Sequence, residues 1–198
     1  MLFEGRNLSF GYDPKKLILD RFSLGLEKGE RVGLLGPSGC GKSTLARILA
    51  GYLPPQSGEV LFEGKPLPEK GPCPVQLIYQ HPERAVNPRR KLGFTLSEVP
   101  GMDDSLLEAM GIEKAWLNRY PAELSGGEIQ RFCILRALGP QTQVVIADEM
   151  STMLDVITQA QIWNLMLGLI EKRNIALLIV THNPHLAARI CSRSITLG

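Results

Sequence analysis

The sequence has 198 residues, of which 44% are hydrophobic and 21% are charged, a balance typical of a globular domain with a buried core. The 22 basic residues nearly match the 20 acidic ones, for a net charge of +2, so no nucleic-acid partner is expected. The four cysteines are scattered, with no CxxC pair, which predicts reduced thiols and no zinc site. No apolar run approaches the roughly 20 residues that cross a bilayer, and no leader-like segment opens the chain. A role at a membrane would therefore require docking on a separate partner.

Predicted strands and helices alternate along most of the chain. Strands are expected at residues 31–35, 59–63, 75–79, 144–147 and 175–180. Helices are expected at residues 42–51, 125–138, 159–172 and 184–190. This alternation favours an α/β protein with a mainly parallel sheet. Strands and turns are also expected before residue 31, around an Asp13-Pro14 turn, and a surface loop is expected at residues 64–74.

The composition shifts towards helix between about residue 87 and residue 120. Together with the helix predicted from Ser125, this shift indicates a helical subdomain at residues 87–140. We expect it to be inserted in a single domain of residues 1–198.

Residues 36–44, the phosphate loop, match the pattern GxxxxGK[ST] between a predicted strand and a predicted helix. Glycines let successive N–H groups face a phosphate oxygen, and the helix adds its positive end. Lys42 is expected to contact the β- and γ-phosphates, and the Ser43 hydroxyl to ligate Mg²⁺. A chance glycine turn is the alternative, but the strand–loop–helix context favours binding of a nucleoside triphosphate. The predicted nucleotide-binding residues here are Gly36, Pro37, Ser38, Gly39, Cys40, Gly41, Lys42, Ser43 and Thr44.

Two carboxylates, Asp148 and Glu149, follow the apolar run at residues 144–147. A buried strand that ends in acidic residues brings them to the sheet edge where such folds bind ligands. Asp148 is expected to hold Mg²⁺ through water, and Glu149 to orient and deprotonate the attacking water. Strands often end in acidic turns, so it is the phosphate loop upstream that makes this pattern informative.

Residues 124–128, the signature segment, carry a second glycine-rich helix start. Ser125 is a good N-cap, and Gly126 and Gly127 let a ligand approach the first turn. The segment is either a capped helix start alone or a second anion site. Because the phosphate loop already serves this chain's own nucleotide, a second site is expected to face the nucleotide of another protomer.

Together and in this order, the motifs resemble those of the ABC-transporter ATPases over nearly the whole chain. The resemblance implies a P-loop NTPase core with an N-terminal antiparallel β region and an inserted helical subdomain. It also implies roles for four further residues. Gln80 would sense Mg²⁺ and the γ-phosphate, His182 would contact the γ-phosphate, and Tyr12 would stack on adenine. Asp155 would be the last residue of the D-loop at residues 151–155 and part of the nucleotide-binding site. The alternative for Gln80 is an ordinary glutamine at the end of a strand. The alternative for His182 is a capping or core histidine, and that for Tyr12 is simple packing.

The family resemblance implies an ATPase that binds ATP and Mg²⁺ between two subunits, as a homo- or heterodimer. Such a subunit would drive an integral membrane permease as a peripheral protein on the cytoplasmic face of the membrane. Residues 85–89 and 154–161 are similar to the peptide/nickel importer branch, which implies import of peptides or chelated nickel. The alternatives are a soluble ABC ATPase, which usually needs a second cassette or a coiled-coil insertion, and a small-molecule kinase, which has no use for residues 124–128.

Two residues depart from the family pattern. Glu128 stands where the signature segment normally has glutamine. Its carboxylate suits the positive end of its own helix, but near a partner's γ-phosphate the like charge opposes binding. We therefore expect weaker ATP-driven dimerisation than with glutamine. Met150 replaces the usual proline after the catalytic glutamate, a change that we expect to be tolerated.

Overall fold

The computed structural model describes residues 1–13, 16–99, 104–150 and 154–197. Its strands are β1 (Phe3–Phe10), β2 (Leu19–Leu26), β3 (Arg31–Leu35), β4 (Ser57–Phe62), β5 (Lys65–Pro66), β6 (Val75–Ile78), β7 (Val144–Asp148), β8 (Ala176–Val180) and β9 (Arg193–Thr196). Its helices are α1 (Lys42–Leu49), α2 (Leu92–Ser97), α3 (Asp104–Ala109), α4 (Gly126–Ala137), α5 (Val156–Arg173) and α6 (Pro184–Ile190). Short 3₁₀ turns lie at Pro82–Arg84, Lys114–Asn118 and Pro121–Glu123. None of the described helices is long and apolar enough to cross a membrane.

The central sheet is parallel, with the strand order β6-β7-β8-β3-β9. Every residue of β7 and β8 is buried, which explains their uninterrupted apolar sequences, since both faces of a parallel sheet are covered. The register pairs Asp148 with Val180, and Val180 with Leu34. The carboxyl ends of these strands therefore meet at one edge, where ligands bind in folds of this type.

A second, antiparallel sheet has the order β2-β1-β4-β5. One hydrophobic cluster joins it to α1 and to one face of the parallel sheet, through residues such as Val144 and Ile146. The alternate residues of β7, Val145 and Ala147, enter a second cluster with α4 and α5, as the two-residue period of a strand requires. The sheet edge that carries the motifs is thus fixed from both faces.

The predicted fold class is confirmed: the molecule is an α/β protein with a parallel core and an N-terminal antiparallel sheet. Helices α2 to α4 occupy residues 92–137, and their assignment to an inserted subdomain at 87–140 stays a prediction. Pro14 of the expected Asp13-Pro14 turn lies outside the described residues.

Two local predictions were wrong, and one strand was missed. The expected loop at residues 64–74 contains the two-residue strand β5, whose Pro66 is tolerated because β5 is an edge strand. Strand β9 was not predicted, because its mostly exposed residues form no apolar run; pairing with β3 holds it in the sheet. Helix α5 begins at Val156, before the predicted residue 159, because Asp155 caps it.

Candidate active site

The phosphate loop leaves β3 and enters α1 through two positions that require glycine. A Cβ atom on Gly36 would lie 2.3 Å from the Leu197 carbonyl oxygen. Gly41, the N-cap of α1, has a φ of 105°, and a Cβ there would lie 2.3 Å from the Ile18 side chain. Larger residues would therefore force the loop open.

Lys42 folds back over this loop. Its ammonium donates to the carbonyl oxygens of Gly36 at 2.9 Å and Pro37 at 2.8 Å, and the residue is only 6% exposed. A buried charge is tolerated when it is hydrogen-bonded, so these carbonyls hold the lysine in the curl of the loop.

Ser43 and Asp148 connect the loop to strand β7. The Ser43 hydroxyl donates to the Asp148 carboxylate at 3.1 Å. Burial raises the pKa of Asp148, an effect that the Ser43 hydrogen bond partly offsets. The described residues contain no group of three or more His, Cys, Asp or Glu side chains placed for a metal ion. A hydroxyl and a carboxylate nevertheless supply the oxygen ligands that Mg²⁺ prefers.

Glu149 has a strained backbone, with a φ of 44°. Its amide N–H donates to the Val180 carbonyl oxygen at 3.0 Å, and its carboxylate lies 3.1 Å from His182 Nδ1. Non-glycine residues at positive φ are uncommon and persist where surrounding contacts fix them, often at functional sites. Glu149, predicted to activate the attacking water, and His182, predicted to contact the γ-phosphate, therefore form one hydrogen-bonded pair.

One cavity of about 400 Å³ brings residues of the phosphate loop together with Tyr12, Gln80 and Glu149. Its lining consists of Tyr12, Ile18, Ser38, Gly39, Gly41, Lys42, Ser43, Thr44, Gln80 and Glu149. The Tyr12 hydroxyl lies 3.3 Å from Thr44 Oγ1, and the tyrosine is 64% exposed. Its ring contacts Phe10 only edge-on, with centroids 5.1 Å apart, which leaves it accessible to a planar ligand.

The other predicted residues of this region adjoin the cavity. The carbonyls of Gly36 and Pro37 accept hydrogen bonds from Lys42, and the Asp148 carboxylate accepts one from Ser43. Cys40 is half-buried. Ile18 was missed by the sequence reasoning. Its only sequence signal is an apolar residue just before β2, which does not distinguish a cavity wall from the core.

The signature segment does not line this cavity in the described part of the chain. Ser125 caps α4, and the Glu128 carboxylate accepts from the Ser125 N–H at 2.6 Å and from its hydroxyl at 2.7 Å. These hydrogen bonds lower the pKa of Glu128. Around Gly126 there is open space, whereas a Cβ on Gly127 would lie 3.0 Å from Leu154.

The D-loop residues 151–153 lie outside the described residues. Asp155 is described, and its carboxylate accepts from the N–H groups of Ile157 at 3.1 Å and Thr158 at 3.0 Å. Hydrogen bonds from Thr158 lower the pKa of this carboxyl. Met150 is buried in the core beside β7.

A phosphate loop, two carboxylates at the edge of a parallel sheet and a separate glycine-rich helix start together define an ATP-binding cassette. A family model described as ABC transporter matches residues 19–152. The chain belongs to this family and is the ATP-hydrolysing subunit of an ABC transporter.

Similar proteins include the nickel import ATP-binding protein NikE of Rhodospirillum rubrum, 36% identical over 206 residues that cover 94% of this chain and 74% of that protein. NikE of Escherichia coli K12 is 34% identical over 202 residues, which cover 92% of this chain and 75% of that protein. The dimeric post-hydrolysis structure of the ATP-binding cassette MJ0796 with ADP and Pi is 25% identical, with a TM-score of 0.81. That match covers 98% of this chain and 94% of the cassette.

Proposed function

We propose that this subunit hydrolyses ATP with Mg²⁺ at the interface of two ATPase subunits and drives import by a permease. The cargo class that we propose is chelated nickel or peptides. Two relatives named as nickel importers support it, as do residues 85–89 and 154–161. The proposed hydrolysis rests on one observation: the phosphate loop, Gln80 and Glu149 line the same cavity.

The nucleotide would lie in this cavity, with its phosphates at the phosphate loop and its adenine at Tyr12. The backbone N–H groups of residues 38–44 and the Lys42 ammonium would hold the phosphates. Tyr12 would stack on the adenine, which its exposed ring favours over a role in core packing. Ile18 would form the apolar wall beside the base.

Ser43, Asp148 and Gln80 would hold Mg²⁺. The 3.1 Å contact between the Ser43 hydroxyl and the Asp148 carboxylate supports this role, because it brings two oxygen ligands to the phosphate loop. When bound, Mg²⁺ neutralises charge on the β- and γ-phosphates. Burial of Asp148 opposes its ionisation, so a nearby cation would stabilise its carboxylate form.

Hydrolysis would use Glu149 as the general base. Its carboxylate would orient the attacking water and take its proton. His182 would keep that carboxylate in position through the 3.1 Å contact of its Nδ1. The histidine side chain is 55% exposed, so its other ring nitrogen could contact a γ-phosphate at the same time.

The signature segment would bind the γ-phosphate of a second subunit's ATP, with Asp155 near the same interface. Its absence from the cavity of its own chain supports this arrangement. Two cassettes closed around ATP would push on the permease, and hydrolysis would reopen them. ATP would then act by shifting the population towards the closed dimer.

Replacing Glu128 with Gln is expected to tighten the ATP-driven dimer at least fivefold, roughly 1 kcal/mol of relieved repulsion between like charges. A glutamine oxygen can still accept from the Ser125 N–H and hydroxyl, so the helix cap is kept. Sedimentation with ATP, in subunits that also carry Glu149→Gln, measures the dimer dissociation constant.

Glu123→Gln is the matched control for this comparison. Glu123 accepts from the Tyr120 N–H at 2.6 Å, the same capping contact in the preceding 3₁₀ turn, but it lies outside the signature segment. The advantage of Glu128→Gln should shrink at high salt, because salt screens charge repulsion. Equal dimer dissociation constants for Glu128→Gln and for subunits that keep Glu128 would show that Glu128 does not repel the partner's γ-phosphate.

The permease is expected to dock in a cleft of about 600 Å³ between β6 and the carboxyl end of α4. The residues at this cleft include Tyr52, Tyr79, Arg84, Ala85, Glu98 and Arg136. The cleft includes the start of the importer-like segment at residues 85–89, the part of the sequence that we expect to receive the permease.

A tagged subunit should recover an integral membrane permease from detergent-solubilised membranes. Arg84→Glu should reduce that recovery, and Arg21→Glu, at an exposed arginine of β2, should not. Uptake of nickel chelates and of peptides by vesicles that contain the complex then distinguishes the cargoes. Recovery of no permease, or transfer of phosphate to a small molecule, would instead favour one of the alternatives, a soluble ABC ATPase or a kinase.

A further inference from the structure

Gln130 is an unusual residue of helix α4. It is 1% exposed, and its Oε1 is the one buried side-chain nitrogen or oxygen without a hydrogen-bond partner among the described residues. Its Nε2 donates to the Tyr79 carbonyl oxygen at 3.5 Å, a long hydrogen bond. A buried acceptor without a donor destabilises a fold, so stability alone does not account for a glutamine here.

A second long contact lies one turn further along α4. The Cys133 thiol donates to the Pro82 carbonyl oxygen at 3.7 Å. Burial raises the pKa of this thiol to about 11, so it stays a neutral donor. Gln130 and Cys133 are three residues apart and therefore share one face of the helix.

The two carbonyls flank the segment that carries Gln80. Tyr79 precedes Gln80, Pro82 follows it by two residues, and Gln80 lines the nucleotide cavity. Helix α4 thus contacts this segment on both sides. The same helix begins next to Ser125, which in the proposed function meets the ATP of the other subunit.

We propose that Gln130 is a positioning residue of the ATPase reaction, which fixes Gln80 relative to the helix that begins at the signature segment. Its amide holds the Tyr79 carbonyl, and the free Oε1 can accept a second hydrogen bond when α4 moves towards the sheet. Through this link, contact of Ser125 with the second ATP would set the position of Gln80 at the first. The inference rests on the proposed roles of Gln80 and of the signature segment.

Gln130→Met tests this role. Methionine has a similar length and removes the unsatisfied Oε1, while the Tyr79 carbonyl oxygen loses only a long hydrogen bond of 3.5 Å, so the melting temperature should change little. The kcat for ATP should fall about tenfold, within the range that a misplaced catalytic group costs, while the KM stays within about twofold. Leu135→Met, a buried change of similar size on the same helix, should keep the wild-type kcat.

A double-mutant cycle separates this role from a structural one. If Gln130 acts through Gln80, then Gln130→Met should cause no further loss of kcat in a Gln80→Ala background. A wild-type kcat for Gln130→Met, or the same tenfold loss in both backgrounds, would overturn the proposal. If Gln130→Met does not fold, Gln130→Asn is measured in its place. The shorter amide of asparagine cannot reach Tyr79, so the same loss of kcat is expected.

The single Gln80→Ala variant keeps two failures apart. If it leaves kcat unchanged, Gln80 is not a catalytic residue, and the proposed function loses that assignment together with this inference. If Gln80→Ala lowers kcat and Gln130→Met does not, only the positioning role fails.

Discussion

Replacing Glu149 with Gln is expected to reduce ATP hydrolysis by roughly 10²- to 10⁴-fold, the loss that accompanies removal of a general base. ATP binding should persist, because the phosphate loop and Lys42 are unchanged. Glutamine has the same shape, and its amide oxygen can still accept from His182 Nδ1, which lies 3.1 Å from the carboxylate. The positive φ of residue 149 is equally unfavourable for both side chains, so the fold should not respond to the change.

The variant should also accumulate an ATP-bound dimer, because hydrolysis no longer reopens the closed state. Size-exclusion chromatography with ATP and Mg²⁺, together with phosphate release, measures both effects. Glu171→Gln makes the same chemical change at an exposed position of α5 and should match the wild type. Near-normal hydrolysis by Glu149→Gln would show that Glu149 is not the general base.

The central fold could be predicted from the sequence because its signals are local. Uninterrupted apolar runs indicate strands that are buried on both faces, and β3, β7 and β8 lie within a residue of the predicted bounds. The polar residues that follow these strands meet at one edge because parallel strands end together. The approach of Glu149 to the phosphate loop follows from that geometry, without any contact being visible in the sequence.

Other features depend on tertiary contacts that leave little trace in the sequence. Strand β9 is mostly exposed and is held by pairing with β3. Glu149 adopts a positive φ although it is not a glycine, and its amide donates to the Val180 carbonyl oxygen of the neighbouring strand. The unsatisfied amide of Gln130 appears only when α4 packs beside Tyr79, since a glutamine within a helix normally indicates an exposed face.

Replacing Lys42 with Met is expected to weaken ATP binding by about 10²-fold, the loss of one strong hydrogen bond to a charged group or two weaker ones. The chain length is nearly kept, so the change removes the charge and the donor rather than the volume. Titration of nucleotide against the purified subunit measures the dissociation constant. Lys28→Met, at an exposed turn, should bind ATP as the wild type does.

Lys42 also has a structural role that the same variant exposes. The carbonyls of Gly36 and Pro37 receive the lysine ammonium at 2.9 and 2.8 Å, and methionine leaves both without this donor. The melting temperature should therefore fall even without nucleotide. Stabilisation by ATP depends on its concentration relative to the dissociation constant, so the ATP-induced rise should also shrink. If Lys42→Met lowers the melting temperature but keeps the full ATP-induced rise, the lysine only builds the loop and does not bind phosphate.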